Sequence, residues 1–321
     1  MTEDDTGGPL ARVLRAAGGQ GLLELLGDRL AGSDLTTLLL EVLRRRAGRL
    51  RAADVMRQYE RDRFVAPGLV PFTRLRDVEQ ALLAALPGEF GMVTLSPLAP
   101  LGAHSALATV DQNRIVSTVR ASEVAADPTN ALALEAACRR RELLRADSRS
   151  QTPVRLAATQ RVVRGQAFEG PGMLAHFHQF ALVTAGRDRG NYSFETTHAL
   201  EHIRYLSGAL LVLGATSVEI ALTPLDELVG TAVETIGEAI SALDRVRLCD
   251  PVPTAGSYYE TMRFKVFAIF GDERAEVGDG GFVNWTQQLV GSNKERLAIS
   301  GLGLDRIATL RDAADGPDTA P

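Results

Sequence analysis

Several kinds of residue are scarce in this chain. It has two cysteines, Cys138 and Cys249, and no CxxC pair. That excludes a disulfide scaffold and leaves no plausible zinc set. Cys138 falls in a helical pattern and reads as a core residue. Lysine is equally rare: Lys265 and Lys294 stand against 33 arginines among the 35 basic residues. Arginine suits bidentate contacts to phosphate and carboxylate. An Ala/Arg/Gly-rich, Lys-poor chain is nevertheless what GC-rich coding produces, so only arginines placed by a motif carry a functional argument. The longest mainly apolar stretch, Leu206 to Ala215, is far too short to span a bilayer. The start, MTEDDTGG, is acidic with no apolar h-region, so no secretory leader is read and a cytoplasmic location is expected. The net charge of −5 and a mean hydropathy near zero exclude a polybasic nucleic-acid binder and wholesale disorder.

What is present is enough for a large core: 321 residues, 45% of them hydrophobic, make one large domain or two ordinary ones. Leucines at three- and four-residue spacing between Pro9 and Arg63 predict helices, with Asp34 as an N-cap. Eight arginines and three acidic residues fall between Arg44 and Arg63, which reads as a solvated helix face rather than an RNA surface. Only Tyr59 and Phe64 interleave with them as aromatics. Pro67, Gly68 and Pro71 mark a linker. The expected organisation is a helical extension over residues 1–70, a catalytic-type domain over 71–314 and a disordered tail over 315–321.

Within the larger part, helices are predicted at 77–85, 129–145, 196–214, 225–242, 283–290 and 302–312. A short buried strand is expected at Met92–Leu95, and others at 106–110, 115–119, 154–158, 177–184, 217–222 and 262–270. Strands joined by turns as well as by helices argue for an α+β fold, a mainly antiparallel sheet flanked by helices, rather than for successive βαβ units.

Three segments could carry chemistry. Arg161–Gln166, a glycine-rich loop and His176–Phe180 make a hairpin that offers an arginine to phosphate and an aromatic ring to a base. Gly301-Leu302-Gly303-Leu304-Asp305-Arg306 reads as a strand and two glycines, then a helix with an arginine in its first turn. The third is Gly88–Pro97, in which the helix 77–85 leads into a strand stopped by proline. Each alone is also compatible with ordinary core structure. Together, taken in their order along the chain, 88–97, 161–180 and 301–306, they resemble motifs 1, 2 and 3 of the class II aminoacyl-tRNA synthetases, and most closely those of histidyl-tRNA synthetase. Phe177-His178-Gln179 is similar to the end of that family's motif 2, and GLGLDR to its motif 3. Tyr258-Tyr259, Gly278-Asp279-Gly280-Gly281 (where the family has an Ala-Gly-Gly turn) and Asp127-Pro128-Thr129 stand at supporting positions.

The resemblance implies a class II synthetase-like core that uses ATP, with or without Mg2+. Arg164 would bind the α-phosphate, Phe177 would stack on adenine and Arg306 would hold the γ-phosphate, while Gln166 takes the place of the family's adenine-reading glutamate. Asp127, Thr129 and Gln179 would hold an amino acid or other small carboxylate, with Tyr258, Tyr259 and Trp285 lining its pocket; Trp285 could equally be a core residue. A homodimer is implied, with tRNA or a carrier protein as conceivable acyl acceptors and no membrane association. There are departures. Lys265 stands where many members have a glutamate, the arginine expected before the tyrosine pair is missing, and Phe282–Trp285 rebuild the pocket wall as apolar. Only 15 residues follow Arg306, which leaves no anticodon-binding domain in that position and argues against decoding-linked charging.

Other chemistry reads as weak. His198 and His202, four apart on a helix, lack the HExxH order and are expected on a half-exposed face. His176 and His178 share one face of a strand and border the expected cleft, and no Ser-His-Asp arrangement is seen. Two functions follow: a stand-alone ligase that forms an acyl-adenylate, or a non-catalytic paralogue that senses a ligand or regulates a partner, as the regulatory subunit of histidine biosynthesis does.

Overall fold

The computed structural model describes residues 8–166, 175–252 and 258–315. The chain divides into two compact units, one drawn from Met1–Asp62 and Ser117–Ser122, the other from Arg63–Val116 and Glu123–Pro321. No helix among the described residues is long and apolar enough to cross a membrane.

The first unit carries helices α1 (Pro9–Ala16), α2 (Gln20–Glu24), α3 (Gly32–Ala47) and α4 (Ala52–Tyr59), none with a buried residue. Ala31, not Asp34, is the N-cap of α3. Asp34 sits in the first turn, where a carboxylate still complements the exposed amides and the helix dipole. The arginines are solvated and locally paired: Arg44 and Arg45 with Glu41 at 2.6 and 2.7 Å, and Arg51 and Arg57 with Asp54. Pairs this exposed contribute little to stability, because water and salt screen them.

The second unit is built on one eight-stranded sheet, in the order β1-β4-β5-β10-β9-β8-β6-β7. Its strands are β1 (Gly91–Met92), β4 (Val154–Val163), β5 (His176–Arg187), β6 (Ser217–Pro224), β7 (Val246–Cys249), β8 (Glu260–Phe270), β9 (Glu273–Val283) and β10 (Glu295–Gly303). Two short strands, β2 (Leu98–Pro100) and β3 (Ser122–Val124), lie outside it. The interior pairings are antiparallel, and only the edge pairs β1/β4 and β6/β7 are parallel.

Both faces of the sheet are covered. On one, Phe180 and Leu182 of β5 join Val78 and Leu82 of α5 (Phe72–Ala84), Leu206 of α7 (Ser193–Val212), Ile236 of α8 (Gly230–Ser241) and Ile307 of α10 (Leu304–Asp315). On the other, Ala181, Val183 and Ala185 meet Leu132 and Ala136 of α6 (Pro128–Ala146) and Trp285 of α9 (Trp285–Val290). Leu156, Leu182 and Leu297 are at or below 1% exposure, and each such side chain contributes about 1.5–3 kcal/mol of burial.

Several sequence-based expectations are corrected. The strand at 92–95 shrinks to the two-residue edge strand β1, with Met92 exposed and Phe90 buried instead. Residues Ala103–Leu107 form a π-helical turn where a strand was expected. No strand forms over 115–119. A 3-10 turn (Gln112–Arg114) capped by Asp111 leads into that stretch, which holds only an isolated bridge at Ser117, and the next strand is β3, after Ala121 takes a positive φ. The 225–242 helix starts at Gly230, because Asp226 caps a separate 3-10 turn. β7 and β9 were not anticipated. Gly278–Gly281 is the interior of β9 and not a turn. A Cβ on Gly280 would lie 2.6 Å from that of Ser300, so these glycines serve close strand packing. Cys138 is exposed, because α6 turns Leu132, Ala133, Ala136 and Arg140 inward instead.

Candidate active site

On the α6 side of the sheet a cavity of about 360 Å³ opens over the middle of the cross-strand row Ala181–Gly301–Asp279. Two of these three residues carry almost no side chain, and that is where the space comes from. Eight of the ten residues singled out from the sequence line it: Asp127, Thr129, Arg164, Phe177, Gln179, Tyr258, Tyr259 and Arg306.

One wall is made by the start of α6 and the end of β4. Asp127 is the N-cap of α6, its Oδ1 accepting from the Thr129 amide at 2.9 Å and hydroxyl at 2.7 Å, with Pro128 favouring the helical turn at N1. The other carboxylate oxygen faces Arg164 Nη2 at 3.3 Å, and Arg164 Nε donates to the Ala126 carbonyl at 3.1 Å. The guanidinium carbon lies 5.0 Å from the centre of the Phe177 ring, a cation–π approach across the hairpin whose register pairs Val162 with Phe177. Residues 164 and 127 therefore hold each other before any ligand arrives.

The opposite wall is aromatic and acidic. The Tyr258 and Tyr259 rings are 4.7 Å apart, and Tyr258 packs against Trp285 at 5.6 Å. Tyr259 donates its hydroxyl proton to Asp279 Oδ2 at 3.2 Å. Burial pushes both tyrosines above the ordinary phenol range, which keeps them neutral donors. Burial, and then the charge of Asp127, raise the Asp279 carboxyl to about 6. Gln179 sits on the floor with its side-chain carbonyl oxygen buried and without a hydrogen-bond partner among the described residues. A buried acceptor without a donor costs about 1–3 kcal/mol, so this one invites a ligand donor.

At the far end Arg306, in the first turn of α10, donates to the Glu276 backbone carbonyl at 2.5 Å. The Glu276 carboxylate is held by Lys265 at 2.7 Å. Asp305 accepts from the His178 amide at 2.6 Å and faces Arg161 at 3.4 Å, fastening β5 to α10.

The overall arrangement has parallels among solved structures. An ATP phosphoribosyltransferase regulatory subunit/histidyl-tRNA synthetase from Bacillus halodurans superposes with a TM-score of 0.59 at 13% identity, over 78% of this chain and 82% of that one. A histidine–tRNA ligase subunit from Alicyclobacillus acidocaldarius gives 0.58 at 15% identity, over 78% and 97% of the two chains. The apo histidyl-tRNA synthetase of S. aureus gives 0.55 at 9% identity, over 77% and 67%. This chain has a class II aminoacyl-tRNA synthetase-like fold. At such identities the likeness is one of fold alone. No family profile and no curated protein matches the sequence.

Within this class II-like core, two expected residues stand apart from the cavity. Trp285 is 1% exposed and lies behind Tyr258, a core residue that backs the wall rather than forming it. Gln166 is absent from the described lining, and its backbone carbonyl accepts from Arg63 at 3.2 Å. The hairpin loop, residues 167–174, lies outside the described residues. Asp279, Glu276 and Asp305 line the cavity although sequence reasoning did not select them. The signals were there: Asp305 sits inside the GLGLDR phrase, and Asp279 is the one charged residue in a glycine run.

The histidines also move. His198 and His202 are 5% and 1% exposed, not half-exposed. His202 bridges Thr184 and Ser300 hydroxyls at 2.9 Å each, and burial drops its pKa to about 3. His176 and His178 alternate with Phe177 and Gln179 and so face away from the cavity. His176 receives a hydrogen bond from Arg161 at 3.0 Å, and His178 lies 3.7 Å from Glu79. Mg2+ at a phosphate site is ordinarily held by one or two carboxylates together with the phosphates themselves. Of the carboxylates facing the cavity, Glu276 is already held by Lys265, and among the described residues no group of three His, Cys, Asp or Glu side chains could hold a metal by itself.

Proposed function

We propose that this chain is a stand-alone ATP-dependent ligase of the class II synthetase kind. It would activate a small carboxylic acid bearing an amino group as the acyl-adenylate, and pass the acyl group to an acceptor other than a decoding tRNA. A carboxylate oxygen of the acid bonds to the α-phosphorus of ATP as the bond to pyrophosphate breaks. An acceptor amine, thiol or hydroxyl then takes the acyl carbon as AMP leaves.

The observation that carries this reading is the unpartnered Gln179 oxygen, set in the same cavity as an arginine laid over an aromatic ring. The first calls for an amino group, the second for an anion beside a flat ring. Arg164, already oriented by Ala126 and Asp127, would neutralise the charge that builds on the attacked phosphate without having to reorganise. Arg306, oriented by the Glu276 carbonyl, would serve the far phosphates. Asp127 and Gln179 would accept from the amino group of the acid. Catalysis of this kind is positioning and charge stabilisation rather than proton transfer. A homodimer and a cytoplasmic setting are part of this reading.

A second reading, a ligand-sensing or regulatory subunit, is favoured by one observation: the Lys265–Glu276 pair places a cation and removes a carboxylate where metal-linked phosphates would lie. A similar structure is described as a regulatory subunit. Acid-dependent ATP–pyrophosphate exchange separates the two. The ligase reading expects exchange with at least one amino acid, and a loss of about 10²–10³-fold in Arg164→Ala. No exchange with any acid, together with no heat of ATP binding, would sink it. A small molecule that binds without supporting exchange would favour the second.

A further inference from the structure

Four carboxylates face the cavity, Asp127, Glu276, Asp279 and Asp305, against the guanidinium groups of Arg164 and Arg306. Three of the four are spoken for. Asp127 faces Arg164 at 3.3 Å, Glu276 faces Lys265 at 2.7 Å, and Asp305 faces Arg161 at 3.4 Å. Asp279 forms no ion pair among the described residues, and its hydrogen bond comes from the neutral Tyr259 hydroxyl. Lys265 is its register partner on β8, yet turns its amine to Glu276 across the bulge at Val266/Phe267. A partly buried carboxylate without a cation is costly to keep.

The register sets the distance to the other unmet acceptor. Ala181, Gly301 and Asp279 lie side by side on β5, β10 and β9, and Gln179 is two residues from Ala181 on the same face. Two strand spacings and two residue rises put the Gln179 and Asp279 Cα atoms about 12 Å apart. With both side chains reaching into the cavity, the two acceptors can meet two donors on one small molecule.

We propose that Asp279 is a specificity-determining residue and holds a second cationic group of the substrate, so that the acid is an amino acid with an ammonium or guanidinium on its side chain. The inference rests on reading the cavity as the acid pocket of the ligase.

Calorimetric titration without ATP, at pH 7.5, tests it with L-lysine, L-ornithine and L-arginine against L-norleucine, which matches lysine without the amine. At least one of the three cations binds, and norleucine binds at least tenfold more weakly. Asp279→Asn removes the discrimination, and Asp279→Glu retains part of it. Should the asparagine variant fail to fold, pH supplies the readout in the wild type. The titratable and charged groups facing Asp279 are Asp127, Glu276, Tyr258, Tyr259, Arg164 and its register partner Lys265, and burial raises the Asp279 carboxyl itself to about 6. Affinity for the cation therefore falls about tenfold from pH 7.5 to pH 5 as that carboxyl takes up a proton. No binding by any of the three cations, equal binding of norleucine, or a fully discriminating Asp279→Asn overturns the proposal. Cation-selective binding with no pyrophosphate exchange removes the ligase reading and leaves Asp279 as the cation-selecting residue of a ligand pocket. Exchange driven equally by norleucine does the reverse.

Discussion

Arg140 is the least expected residue of the core, and removing it should be the most damaging single change outside the cavity. It lies on α6, and both it and Glu295, at the start of β10, have side chains at 0% exposure. The guanidinium grips the carboxylate through Nε at 2.7 Å and Nη2 at 2.9 Å, and also donates to the Thr152 and Ser150 carbonyls. Arg140→Met keeps the volume but strands a buried carboxylate and two carbonyls. Breaking such a pair from one side costs about 3–5 kcal/mol. For a domain of this size 1 kcal/mol moves Tm by about 2–4 °C, so the drop is on the order of 6–20 °C. Glu295→Leu should cost as much, because it strands the cation. The double variant Arg140→Met/Glu295→Leu removes both charges and should recover most of the loss, a coupling of at least about 2 kcal/mol. Urea denaturation of the four proteins measures it. Because the pair is away from solvent, 0.5 M salt leaves the cost nearly unchanged, unlike the exposed Arg44–Glu41 contact. Single-variant costs below about 1 kcal/mol, or strict additivity in the double variant, would refute the account.

Two further outcomes can be measured. His104, at 1% exposure, bonds Glu123 at 2.6 Å through Nδ1, while its Nε2 accepts the Ala126 amide at 3.0 Å. His104→Leu leaves the Ala126 amide unmet and takes one donor from Glu123, which keeps the Gly102 and His104 amides and Gln112, so stability falls by about 1–3 kcal/mol and hydrogen exchange at Ala126 speeds up; an unchanged Ala126 amide would contradict this. His202 stays neutral in the folded protein down to about pH 3, whereas the unfolded chain protonates it near 6.5. Its contribution is therefore complete above pH 6.5 and lost progressively as pH falls toward 3. NMR should show no titration of its ring between pH 5 and 8, and a titration there would remove the argument.

Much of the second unit was legible because local pattern and tertiary need agree in it. β4, β5, β6 and β8 are rich in apolar residues that the two faces of the sheet bury, and α6 begins where Asp127-Pro128-Thr129 dictates a cap. The stretch from Leu98 to Val124 was not legible. Its turns depend on capping side chains and on positive-φ residues such as Thr109 and Ala121, which leave no periodic trace. β9 was hidden for another reason. Its glycines lower strand propensity, and only the neighbours Phe264 and Ser300 show why side chains are excluded there.

By itself, the amino-acid order determined the α+β class, the hairpin with Arg164 and Phe177, and the placing of Arg306 after two glycines, because spacing along one strand or one turn is a local property. The tertiary structure decided the rest. It took Trp285 and the helix histidines out of contention by burying them, spent Lys265 on Glu276, and left Asp279 facing the cavity with no ion pair among the described residues. Those outcomes depend on which strands lie side by side. Residues 11 to 155 positions apart meet in that way, and charge balance and desolvation are settled only once they do.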